Sequence, residues 1–124
     1  MTNIDINIWG RIFTCRVKYR CHNGETVTQE QINAFNKFIK QTKAIEVAKD
    51  KVESFCRNQV LMDDKNKKKD NIFSYIKPDY IFVDRETEPH VAIMCNYRYD
   101  PEHGLAVVFD ANGNVTVGTQ DIIL

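Results

Sequence analysis

The run His90 to Tyr99, HVAIMCNYRY, admits few conformations. Val91, Ile93, Cys95, Tyr97 and Tyr99 alternate with His90, Ala92, Met94, Asn96 and Arg98. A helix would scatter these two sets around its circumference, whereas a strand puts each on one face. A second alternating run, Ile12 to Tyr19, places Phe13, Cys15, Val17 and Tyr19 opposite Thr14, Arg16 and Lys18. Ile4, Ile6 and Ile8 predict an earlier strand, with a bend at Trp9-Gly10. Toward the C-terminus, Tyr80–Asp84 and Leu105–Phe109 read as strands, and Ala111-Asn112-Gly113 turns the latter into Val115–Val117.

Between the two alternating runs the period changes. Thr28 and Gln31 have capping-box spacing, in which each side chain answers a free backbone N–H at a helix start. Val27 and Ile32 sit where a hydrophobic staple would form. Ile32, Phe35, Phe38 and Ile39 predict the buried stripe of a first helix, Thr28–Lys40. Ile45, Ala48, Val52, Phe55, Cys56 and Gln59 predict that of a second, Ala44–Leu61. The stripes are offset by about a third of a turn, so the helix breaks near residues 41–43. The expected fold is α+β: an antiparallel β-meander with two helices, inserted after the first strands, packed on one face. Its length fits one domain, residues 1–124.

Composition narrows the function. At 43% hydrophobic and 27% charged residues the chain has the means to fold. Lys+Arg and Asp+Glu are both 17, giving net charge +0, without the basic excess of a nucleic-acid binder. The one lysine cluster, Lys65 and Lys67 to Lys69, is flanked by Asp63, Asp64 and Asp70 and reads as a solvated loop. No apolar run is long enough for a membrane helix, and MTNIDINIWG lacks signal-peptide features. Cys15, Cys21, Cys56 and Cys95 form no C-x-x-C pair, so reduced and mostly buried thiols are expected. A cytoplasmic location is the expectation, with no cofactor and no metal.

One stretch carries chemistry: Asp100-Pro101-Glu102-His103-Gly104. Pro101 presets φ, Asp100 can accept from the backbone ahead, and Gly104 can take positive φ, so a tight hairpin turn explains three of the five residues. Glu102 and His103 are left over. With Asp121 they would supply acid/base or metal chemistry, although His90 lies too far along its strand to join them and His22 has no evident partner. A structural role is the competing reading, in which the last strand returns Asp121 to the turn to hydrogen-bond His103. No G-x-S-x-G motif and no glycine-rich phosphate loop is present.

The segments D-P-E-H-G-L-A-V-V-F and N-V-T-V-G-T-Q-D resemble the closing motif of a family of small bacterial domains of unknown function, D-x-E-H-G-L then V-x-x-G-x-x-D. The matching positions are Asp100, Glu102, His103, Gly104, Leu105, Gly118 and Asp121. Tyr99 stands where that family usually has tryptophan, and Tyr97 where it has cysteine. Val27 to Gln31 and Ile76 to Pro78 are similar as well. The resemblance implies the same element order and no particular reaction, with a toxin-immunity setting by association. The expected function is therefore a non-enzymatic binding domain, an immunity-type protein with a toxin-like protein partner. Trp9, Tyr97 and Tyr99 are its candidate contacts. The alternative is a metal-dependent or acid/base hydrolase using Glu102, His103 and Asp121. A third reading is a small-ligand module with its site between sheet and helices.

Overall fold

The computed structural model describes residues 3–63 and 72–124, so the lysine cluster at 65–69 lies outside the described residues. Six strands form one sheet in chain order: β1 (Asn3–Ile8), β2 (Arg11–Tyr19), β3 (Ile76–Val83), β4 (Val91–Tyr97), β5 (Leu105–Phe109) and β6 (Val115–Gly118). Helices α1 (Gln29–Lys40) and α2 (Thr42–Asp63) come between β2 and β3. Short 3-10 turns occupy Ile72–Tyr75 and Gln120–Ile122. The class is α+β, as expected.

The expectation of a purely antiparallel sheet is corrected. Strands β3 to β6 do form an antiparallel meander, and β1 pairs β2 antiparallel. The seam between them, Arg16↔Tyr80 through Tyr19↔Val83, is parallel. Its cause is connectivity. Two helices fill the excursion from β2 to β3, and this crossover carries the chain back to the end of the sheet where β2 began, so that β3 runs alongside it in the same direction. Strand β3 also starts earlier than Tyr80. Pro78 lies inside it opposite Cys95, beside an irregularity between Pro78 and Tyr80. A residue without an N–H is tolerated at such a break in the ladder.

The β1–β2 turn needs positive φ at two residues, and Trp9 (φ 52) and Gly10 (φ 87) supply it. Tryptophan in this region is strained, and its side chain is held: Nε1 donates to Ile45 O at 2.8 Å, and the ring packs on Phe73 at 5.1 Å.

The two faces of the sheet differ. One carries the main core, where Ile6, Ile8, Cys15, Val17, Ile81, Ile93, Cys95 and Val107 meet Phe35, Phe38, Ile45, Ala48, Val52 and Cys56 of the helices. On the other, a small cluster of Phe82, Ala92, Met94, Ala106 and Val108 is covered by Ile123 near the C-terminus. Thus β4 and β5 are buried on both faces, at every residue but Asn96.

Helix α2 buries Ile45, Ala48, Val52 and Cys56 of its expected stripe, with Phe55 partly buried, while the Gln59 side chain lies outside those described. Helix α1 does not. Ile32 and Ile39 are 37% and 39% exposed, while Gln31 is fully buried beside Phe35 and Phe38. The stripe is rotated because Gln31 does more than cap. Its backbone N–H donates to Thr28 Oγ1 at 3.1 Å and its Oε1 accepts from Thr28 N at 2.9 Å. Its Nε2 then reaches into the sheet end, donating to Arg20 O at 2.9 Å and Asp84 O at 3.0 Å.

Replacing Gln31 by Leu keeps the volume but removes the cap and leaves two carbonyls without that donor. Chemical denaturation should show a loss of about 3 kcal/mol, against about 1 kcal/mol for Thr28→Ala.

Candidate functional site

The connection from β4 to β5 is wider than the tight hairpin expected at Asp100 to Gly104. It holds two successive turns, closed by Asp100 N to Tyr97 O at 3.2 Å and Gly104 N to Asp100 O at 2.8 Å. Gly104 takes φ +66, in the region that favours glycine. Asp100 is the hub: its Oδ1 accepts from His103 N at 3.2 Å and lies 3.0 Å from His103 Nδ1. That hydrogen bond, with the charge of Asp100, raises the His103 pKa above its ordinary 6.5.

The expected His103–Asp121 hydrogen bond does not form. After β6 the chain leaves the extended conformation and turns through Gln120–Ile122, so Gln120 meets the β4–β5 connection instead. Gln120 N donates to His103 O at 3.0 Å, and its Nε2 to Cys95 O at 3.0 Å. Asp121 is exposed and accepts from Thr119 Oγ1, which lowers its pKa. The two halves of the motif meet through backbone and glycines. A Cβ on Gly104 would sit 2.7 Å from Gln120 Nε2 and 2.9 Å from Cys95 O, and one on Gly118 would sit 3.0 Å from Ile122 Cγ2. Both glycines leave room for the C-terminal turn to lie across them. Glu102 and His103 remain exposed at the rim.

The aromatic contact candidates are packed rather than presented. Tyr97 is 1% exposed. Tyr99 is half-buried, 5.7 Å from the Tyr97 ring and 4.9 Å from that of Tyr75. Trp9 is half-buried and held to Ile45 as described. Hydrophobic alternation had assigned Tyr97 to the same strand face as Cys95, and that face is the one the helices cover. The Tyr97 hydroxyl is buried with no hydrogen-bond partner among the described residues, although the Cys56 thiol lies near it. Burial pushes Cys56 up to about 11 and also raises Cys15 and Cys95, so these thiols do not supply thiolate at neutral pH.

A larger concavity, about 680 Å³, opens on the sheet face away from the helices, between the residue 84–90 connection and the C-terminal turn. Its walls include Arg20, Asp84, Glu86, Glu88, His90 and Ile122. Asp84 is 5% exposed and organises the connection: its Oδ1 accepts from His90 N at 2.8 Å, and its Oδ2 lies 2.8 Å from His90 Nδ1. Asp84 thereby orients the His90 ring through Nδ1. Across the groove the Arg20 guanidinium donates to Ile123 O and lies 5.2 Å over the Phe82 ring. Nothing in the periodicity marked this place. The available signal was an aspartate closing an apolar strand, then a short acidic segment, Glu86-Thr87-Glu88, ending at Pro89-His90.

A family model described as a domain of unknown function, DUF6985, matches residues 2–124. No curated protein and no solved structure matches the chain.

Two outcomes check the geometry of the motif. Gly104→Ala should destabilise by about 2 kcal/mol or more in chemical denaturation, since it combines an unfavourable φ with a backbone clash. NMR titration should put the His103 midpoint above 6.5, and Asp100→Asn should bring it down. Because the folded pKa is the raised one, stability from this pair is fully present below the unfolded value and fades as pH rises through the folded one.

Proposed function

The chain belongs to the DUF6985 family, and we propose that it is a non-enzymatic binding domain. On this reading it is a bacterial, cytoplasmic, immunity-type protein that occludes a protein partner. The observation that carries the proposal is the uneven covering of the sheet. The helices close one face, whereas the other keeps an open groove beside a small apolar cluster on which the C-terminal turn lies. Open grooves with apolar walls and a polar rim suit macromolecular recognition. The contact surface moves accordingly from Trp9, Tyr97 and Tyr99 to the groove. Hydrolysis by Glu102, His103 and Asp121 has less support, because Asp100 engages His103 and Thr119 engages Asp121. Among the described residues no helix is long and apolar enough to cross a membrane, and no group of side chains is placed to hold a metal ion.

The test is affinity capture from the native host with the wild-type chain and with Thr116→Arg, which fills the groove from an exposed wall position. One stoichiometric protein should be retained by the wild type and lost by the variant at unchanged melting temperature. Recovery of no stoichiometric protein by the wild type rejects the proposal.

A further inference from the structure

The chain as a whole is neutral, with 17 basic and 17 acidic residues, yet the groove is not. Its walls bring together Asp84, Glu86 and Glu88 against a single guanidinium, that of Arg20. Arg20 is already engaged, by the Ile123 carbonyl on one side and the Phe82 ring on the other. Asp84 is engaged too, by the backbone and ring of His90. The carboxylates of Glu86 and Glu88 are exposed and make no ion pair among the described residues. The other large cation nearby in sequence, Arg85, is turned away to Glu25 and Thr26 O.

The groove is also part apolar. Ile122 is 47% exposed on its wall, and Val108 and Ile123 contribute their edges. Its free charged groups are therefore acceptors, the carboxylates of Glu86 and Glu88, set beside exposed hydrocarbon. A side chain that satisfies both has an aliphatic stem and a cationic donor head, which describes arginine and lysine.

We infer that the groove takes a partner segment presenting an arginine or lysine between apolar residues, with the cationic head at Glu86 and Glu88 and the apolar flank on Ile122. This rests on the protein-binding reading above and adds the chemistry of the partner. The carboxylates would recruit the segment by long-range attraction and fix its register, while the hydrocarbon wall supplies the contact area.

The probes are short acetylated peptide amides carrying a central arginine, citrulline or glutamate between two leucines. They are titrated into the isotope-labelled full chain at neutral pH while the backbone amide NMR signals of Thr87, His90 and Thr116 are followed. The arginine peptide should shift these signals and weaken with added sodium chloride. Citrulline, equal in shape but uncharged, should bind about tenfold more weakly, as should the arginine peptide to the Glu86→Gln, Glu88→Gln double variant. The variant changes only exposed side chains, and the citrulline comparison does not depend on its folding. Equal binding of citrulline and arginine overturns the inference, as does unchanged affinity in the double variant, or no shift with any peptide. Spermidine binding as tightly as the arginine peptide overturns it in favour of a small polyamine. None of these outcomes bears on the Thr116→Arg capture, which decides separately whether the groove meets a protein.

Discussion

Parallel strands β2 and β3 end side by side, and past Tyr19↔Val83 their carbonyls have no ladder to join. The Gln31 amide spans that end, binding Arg20 O and Asp84 O together. The same side chain closes the capping box that starts α1. One fully buried polar residue thereby fixes where the helix begins, how it is rotated over the sheet, and how far apart the two strand ends sit. Arg85 reinforces the junction from outside, reaching Thr26 O and Glu25. Asp84 depends on this arrangement, since its backbone is tied to Gln31 while its carboxylate holds His90.

Much of this architecture was legible because its causes are local. Alternation located β2 and β4, the Thr28–Gln31 spacing located the start of α1, and the stripe offset located the break at Gln41, which caps α1. What was not legible depended on tertiary partners. The parallel seam follows from where two helices deliver the chain, which no period in β2 or β3 records. The rotation of α1 follows from a glutamine that periodicity counts as polar and therefore outward. Asp121 was placed by assuming an extended approach, and a 3-10 turn put Gln120 there instead. The groove escaped notice because its residues come from β2, the residue 84–90 connection, β5, β6 and the C-terminal turn.

The D-x-E-H-G and G-x-x-D segments form a clasp built largely of absences. Gly104 and Gly118 omit side chains so that Gln120 and Ile122 can occupy the space, and Asp100 braces the loop they rest against. The clasp sets the C-terminal turn over the second face, where Ile123 covers the small apolar cluster and Ile122 forms a wall of the groove. A sequence motif that suggests chemistry thus does mechanical work at one site and shapes the groove beside it.

The six strands lie in space in the order in which they occur in the chain. Five neighbouring pairs make the sheet, and four of them join strands separated by short connections, whose closure costs little entropy. Only the seam between β2 and β3 must wait for a long excursion to be reeled in. The β1–β2 hairpin and the β3–β6 meander can each assemble early from nearby residues, and the helices then bring the two pieces into register. The costliest loop closure is thereby concentrated at a single joint, the one that Gln31 spans.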